Sequence, residues 1–194
     1  MRGCEQIPWL YDGFMRLTEP FGLGRWRQKL VRGVRGQTLE VGSGTGRNLP
    51  LYDRDARVVA LDPDLAVLLA ARKRAPSVPL VVGSAETLPF RPATFETVVS
   101  GLVFCSVPNP QRGLLEVARV LTQDGQLRMM EHVRHPRPSL ARLQDTIQPS
   151  WTWLTGGCHP NRDTEATVAA AGFVIDPASR RGRGVMRRFV ARRP

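Results

Sequence analysis

Three glycines spaced two apart, Gly42, Gly44 and Gly46, follow a short apolar run in the stretch Thr38 to Asn48, which reads T-L-E-V-G-S-G-T-G-R-N. Glycines so spaced supply the permissive backbone needed where a strand turns sharply and a ligand approaches the main chain. One residue separates the second glycine from the third, whereas the dinucleotide fingerprint keeps two, so pyrophosphate binding is disfavoured. On the glycines alone, a Gly-rich turn without a ligand remains an alternative. Asp62 weighs against that. It ends a second apolar run, R-V-V-A-L-D, about 20 residues after the first glycine, where a nucleotide-binding unit places its ribose acid. A carboxylate there can accept both ribose hydroxyls in charge-assisted hydrogen bonds.

A second set of polar residues lies late in the chain. His132, His135, Cys158 and His159 are zinc-ligand types, but neither spacing is a recognised ligand pair and no close Cys pair is present, so no metal site is expected. His132 follows an apolar run directly after Glu131, which could orient its ring, and it is the candidate proton acceptor. The competing role is a structural histidine bonded to a neighbouring carbonyl.

The elements that must position these residues are readable from periodicity and punctuation. Strands are expected at Leu39 to Val41, Arg57 to Asp62, Pro79 to Val82, Thr94 to Val103, Gln126 to Met130, Phe173 to Ile175 and Val185 to Ala191. Helices fit between them. A short one begins at Arg47, one runs over Asp64 to Ala75 with Asp64 as N-cap or first-turn acid and Leu65, Leu68 and Leu69 inward, and one starts with Asn109 as N-cap and Pro110 as first helical residue, with Leu114, Val117, Ala118 and Leu121 inward. Another spans Pro138 to Gln148, and a last one, capped by Asn161 or Asp163, runs to Ala171 and closes at Gly172. Ahead of all these, Ile7 to Leu30 is dense in large apolar residues and is split by Pro20, Gly22 and Gly24 into two helical pieces, the first with Leu10, Phe14 and Leu17 on one face. Strands alternating with helices give a doubly wound α/β fold in one domain over 1–194, with ligands at the C-terminal strand ends.

With 194 residues, one domain can bury a full core. No apolar run approaches the roughly 20 residues of a membrane span, and none follows a basic start as in a signal peptide, so a cytoplasmic protein is expected. Cys4, Cys105 and Cys158 are odd in number and far apart, which argues against a disulfide framework and fits a reducing compartment. The net charge of +11 raises the question of nucleic acid. Its basic residues are scattered, and the one dense group, Arg180 to Arg193, lacks interleaved aromatics, so a nucleic-acid partner is disfavoured against a solvated face or peripheral contact with an anionic membrane.

The segments L-E-V-G-S-G-T-G, A-L-D-P-D and G-S-A-E-T-L-P-F (Gly83 to Phe90) resemble those of class I S-adenosylmethionine-dependent methyltransferases, in the small-molecule and lipid branch known as methyltransferase type 11. E-H-V-R at Glu131 to Arg134 and G-C-H-P-N-R at Gly157 to Arg162 are similar to a subgroup that includes thiol S-methyltransferases and some phospholipid N-methyltransferases. The resemblance implies a Rossmann-like, mostly parallel seven-stranded sheet ending in an antiparallel pair, with residues 1–34 as a helical lid. It implies S-adenosyl-L-methionine as cofactor and S-adenosyl-L-homocysteine as product. Gly42, Ser43, Gly44, Gly46 and Asn48 would pass the methionine half, Glu40 would help hold its amino group, and Asp62 with Pro63 would take the ribose. Ser84, Ala85 and Glu86 would edge the adenine, with Gly101 and Leu102 where substrate meets cofactor. Most relatives have Asp where this chain has Ser84, a weaker partner for the adenine amino group. Base-modifying relatives carry Asn or Asp before Pro-Pro and an aromatic where this chain has Ser100 to Val103, which argues against a nucleobase acceptor. The expected function is methyl transfer to a small-molecule or lipid-like acceptor, a thiol among them. An RNA methyltransferase and a non-catalytic regulatory protein that binds the cofactor are the alternatives, and the oligomeric state is not legible.

Overall fold

A computed structural model describes residues 7, 9, 12, 13 and 22–194. The helical face expected at Leu10, Phe14 and Leu17 lies outside the described residues. One sheet runs through the molecule in the order β3-β2-β1-β4-β5-β8-β6, with a short β7 against β8. Its strands are β1 Gly36–Val41, β2 Ala56–Asp62, β3 Leu80–Val82, β4 Phe95–Gly101, β5 Leu121–His132, β6 Val174–Ile175, β7 Arg181–Arg183 and β8 Met186–Arg192. The pairs among β1 to β5 are parallel, whereas β8 runs antiparallel to β5, β6 and β7. The expected seven strands are therefore present with one addition. The three-residue β7 carries an Arg-Gly-Arg sequence with no apolar signal from which a strand could be read.

Alternation along the central strands assigns side chains to two faces, as the two-residue period requires. Leu39, Val41, Val98, Leu127 and Met129 join Phe189 in one cluster with Leu114, Val117 and Val120 of α3 (Pro110–Val120) and Val168 of α5 (Thr164–Ala170). Val99 and Met130, one residue out of phase, pack against Leu30 and Val31 of α1 (Leu23–Val31) and Val34. A third cluster joins Val58 and Ala60 to Ala71 of α2 (Leu65–Arg74). Helices thus cover both faces, which is the doubly wound arrangement.

Caps follow the sequence. Asp64, Asn109 and Asp163 each accept a hydrogen bond from an amide of the first turn they precede, at Ala66, Arg112 and Ala166. Two helices differ from expectation. In α2 the buried stripe is Val67, Leu68 and Ala71, while Leu65 and Leu69 are 59% and 58% exposed. Leu65 and Leu69 are themselves four apart and form a rival apolar stripe, so periodicity alone cannot choose between the two. The helix α4 spans Pro138–Thr155, straight through Pro149 and the W-T-W stretch, rather than stopping at Gln148. Its end is set instead by Gly156 at φ 87°, whose amide reaches back to Thr152 O at 2.9 Å.

Candidate active site

The C-terminal ends of β1, β2, β4 and β5 open into one cavity of about 560 Å³, where the strand order reverses between β1 and β4. That is the position at which open α/β sheets bind ligands. Ten of the residues singled out in sequence for the cofactor line it: Gly42, Ser43, Gly44, Asn48, Asp62, Pro63, Ser84, Ala85, Gly101 and Leu102. Glu40, Gly46 and Glu86 do not. Gly46 packs beneath, where a Cβ would stand 2.9 Å from that of Ala71. Glu86 turns away, accepting from the amide of Asn109 at 2.8 Å ahead of α3.

Asp62 organises the turn it ends. One of its oxygens accepts from Gly44 N at 2.9 Å and the other from Asp64 N at 3.0 Å, which ties the glycine loop to the end of β2 and leaves a lone pair on each oxygen for further donors. Burial pushes its carboxyl above the usual range, against the pull of those two amides. Gly42 has φ 63° and lies so close to Val103 that any Cβ would collide with that side chain. Ser84, expected from sequence at the adenine edge, accepts from Glu86 N at 3.1 Å and keeps its own proton to donate.

Behind the loop, a polar relay crosses the core. Arg27 of α1 donates to Asn48 Oδ1 at 2.9 Å, and Asn48 Nδ2 donates to Glu40 Oε1 at 3.0 Å. Glu40 is 1% exposed. Burial raises its carboxyl to about 7, opposed by Tyr52, Asn48 and Arg27, although the Tyr52 hydroxyl falls short of hydrogen-bond geometry. Among the described residues, Glu40 Oε2 and Ser43 Oγ are buried with no hydrogen-bond partner. Ser43 lines the cavity and Glu40 lies behind Asn48, so one open acceptor stands at the wall and one behind it, where a donor-rich ligand would satisfy the first directly. The segment expected as a lid therefore contributes core contacts through Leu30 and Val31, and Arg27 to the cavity.

The opposite half of the cavity is lined by Cys105, Ser106, His132, Trp151, Leu154 and Thr155. The expected partnership of Glu131 with the His132 ring is not the arrangement found. Adjacent strand residues point to opposite faces, and Glu131, fully buried, accepts from Ser100 Oγ at 2.9 Å and from the amides of Val103, Phe104 and Cys105 at 3.1, 3.2 and 3.4 Å. It thereby folds the loop after β4, including Leu102 at φ 65°. His132 instead meets thiols. Donor atoms of Cys105, His132 and Cys158 lie within 4.8 Å of one another. Cys105 foremost, and then His132 and Trp151, hold the Cys158 thiol well below its ordinary range against the effect of burial. His135 and His159 are elsewhere: His135 Nδ1 accepts from Arg137 N, and His159 Nδ1 faces Gly157 O. Arg27, Cys105, Trp151 and Leu154 had no local signal in sequence, because each is brought to the cavity by tertiary packing alone.

The chain belongs to the methyltransferase-domain family: residues 39–129 match the model described as "Methyltransferase domain", and a demethylmenaquinone methyltransferase of Thermotoga maritima is 30% identical over 81% of this chain and 72% of its own length. A thiol S-methyltransferase of Rattus norvegicus is 34% identical over 143 residues, 70% of this chain and 59% of that protein, so this chain spans about three fifths of it. In fold, a solved S-adenosylmethionine-dependent methyltransferase of Thermotoga maritima superposes with a TM-score of 0.72 at 19% identity, over 97% of this chain and 99% of that one.

Proposed function

We propose that this protein transfers a methyl group from S-adenosyl-L-methionine to a small-molecule or lipid-like acceptor, with a thiol as the first candidate. The observation that carries the reading is the division of one cavity into a loop-and-carboxylate half and an apolar half that ends at sulfur and imidazole. When bound, the cofactor supplies an electrophilic methyl carbon: its bond to sulfur breaks with the electron pair left on that sulfur, while a lone pair of the acceptor forms the new bond. The residues present fit it. Asp62 offers lone pairs for the ribose hydroxyls, Asn48, held from behind by Glu40, forms the polar wall for the amino group, and the Gly42 to Gly44 backbone leaves room for the methionine half. Ser84 and Ala85 edge the base. A direct displacement needs alignment above all, and Leu102, Val103, Trp151 and Leu154 shape an apolar slot that would hold the acceptor and exclude water.

A thiol suits this slot because it has a pKa near 8.5 and needs little help to ionise. The relative from Rattus norvegicus, by its name, acts on thiols, and the one from Thermotoga maritima acts on demethylmenaquinone. Leu143 and Ile147 on α4, exposed on the helix that supplies Trp151 and Leu154, extend the apolar surface and favour lipid-like acceptors over charged ones. Among the described residues no helix is long and apolar enough to cross a membrane. The test is incubation with isotopically labelled cofactor and a panel of small thiols, quinols and phospholipids, with label followed into product by mass. Transfer to at least one apolar acceptor is expected. Cofactor binding by calorimetry without transfer to any of the panel would favour a regulatory protein, and transfer to RNA alone would overturn the acceptor class.

A further inference from the structure

We propose that Cys105, His132 and Cys158 form a binding site for a soft divalent transition metal, zinc being the type, with an open coordination position toward the acceptor half of the cavity, and that a thiol or other sulfur ligand takes that position. The donor set is two sulfurs and one imidazole, with ligand atoms all within 4.8 Å of one another. Zinc bonds of about 2.3 Å to sulfur and 2.0 to 2.1 Å to nitrogen separate tetrahedral donors by roughly 3.5 to 3.8 Å, so the side chains need to close by about 1.3 Å at most. Two thiolates with one histidine and a free fourth position is a known catalytic zinc arrangement, and the absence of any oxygen ligand in the cluster disfavours magnesium and calcium.

The three donors come from separate segments, yet their backbones are tied together. Cys105 O accepts from His159 N at 2.8 Å, next to Cys158, and Cys105 N donates to Glu131 beside His132. Cys158 N donates to Thr155 Oγ1 at 3.2 Å, and Cys158 O accepts from Thr152 Oγ1 at 2.8 Å, which fixes the loop to α4. His132 is the last residue of β5, held in the ladder opposite Met186 of β8. Such support sets ligand direction ahead of metal entry. Cys105 and His132 line the cavity while Cys158, 1% exposed, lies behind them, so the side open to a fourth ligand is the cavity side.

Charge leaves room for an anionic fourth ligand. A divalent ion with two thiolates and a neutral imidazole sums to zero, and Arg162, which acts on Cys105 and Cys158 electrostatically, also faces the buried Glu131 carboxyl. A thiol that ligates there gives up its proton to solvent and binds as thiolate through a sulfur lone pair. His132 is then a ligand rather than a proton acceptor, and the absence of a recognised spacing in sequence is explained by ligands 27 and 26 residues apart. The part of this inference that concerns the acceptor rests on the methyl-transfer reading; metal binding does not.

The test uses the full chain, freed of metal and kept reduced with a phosphine, titrated with zinc and separately with cobalt(II). One metal per chain and a thiolate-to-cobalt charge-transfer band are expected, and added benzenethiol should shift the cobalt spectrum. Because losing a mere supporting residue costs metal sites about 10 to 100-fold in affinity, Cys158→Ser and His132→Asn should each weaken zinc by at least the upper figure. Circular dichroism and urea midpoints check that both fold; His132, half-buried at the cavity wall, is the milder change. No charge-transfer band, or zinc affinity equal in wild type and a folded His132→Asn, overturns the site. A cobalt spectrum insensitive to benzenethiol overturns the open position. Metal binding with a thiol shift but no methyl transfer would refute the functional reading while leaving the site standing.

Discussion

Asp62 holds two backbone amides while facing the cavity, so its replacement acts on loop and ligand together. In Asp62→Asn the amide nitrogen cannot accept from Gly44 N or a ribose hydroxyl. Calorimetry should show cofactor affinity reduced by about 2 to 4 kcal/mol in a protein that still folds, and unchanged affinity would remove Asp62 from the site. Glu40 bears on stability as well. Its folded value of about 7 lies above the ordinary 4.5, so between these the native state binds the extra proton and stability falls as pH rises. Glu40→Gln should match wild type near pH 4 and exceed it above pH 7 by up to about 3 kcal/mol, at the expense of cofactor affinity. Urea unfolding across that range checks the sign, and a variant less stable than wild type at pH 8 would mean that a cation offsets the buried charge. The loop-and-carboxylate half of the cavity was legible as a group of residues because they sit in local motifs at strand ends. The sulfur and imidazole half was legible only in part: His132 and Cys158 stood out as zinc-ligand types, but their spacing is no recognised pair, and Cys105 gives no signal beyond its type.

Loops and helices show where local signals suffice and where packing decides. Caps at Asp64, Asn109 and Asp163 were readable because a cap is a contact between near neighbours. The face of α2 and the passage of α4 through Pro149 were not, since the first depends on which of two apolar stripes meets the sheet and the second on the packing of the turns beyond the proline. The loop after β4 depends on a single side chain from β5. Glu131 accepts from three consecutive backbone amides and from Ser100, and burial raises its carboxyl against the pull of Val103, Ser100 and Phe104. In Glu131→Gln one oxygen becomes an NH2 group that cannot accept, leaving at least one buried amide unpaired. The loss should be about 2 kcal/mol in urea unfolding, partly offset by relief of the buried charge. Exchange of the Val103 to Cys105 amides should quicken more than that of the strands, and a uniform increase would mean that the loop opens only with the whole protein.

At the scale of the molecule, the Asp12 carboxylate joins the early chain to the glycine loop. Asp12 Oδ1 accepts from Thr45 Oγ1 and Arg47 Nη1, each at 2.8 Å, and Oδ2 accepts from Arg74 Nη2 at 2.9 Å. Arg74, at the end of α2, donates also to Thr45 O, so three segments that are far apart in sequence meet at one point. Burial pushes the Asp12 carboxyl up, but the hydrogen bonds from Thr45, Arg74 and Arg47 outweigh it and hold it below 3.8. The clasp is therefore complete above that ordinary value and is lost only as pH falls through the lower folded one. Arg47 also lines the cavity, so the clasp fixes part of the cavity wall. Asp12 is partly exposed, and of these partners, Thr45, Arg47 and Arg74, none is in a strand. Asp12→Asn, which keeps the shape and removes the charge, should therefore weaken cofactor binding by about 1 kcal/mol, roughly fivefold, with the urea midpoint hardly moved. Added salt should erode wild-type affinity toward that of the variant, because a partly exposed ion network is screened. A lowered midpoint with unchanged affinity would place Asp12 in the cooperative core instead, and the early chain would then be structural rather than a cover over the cofactor.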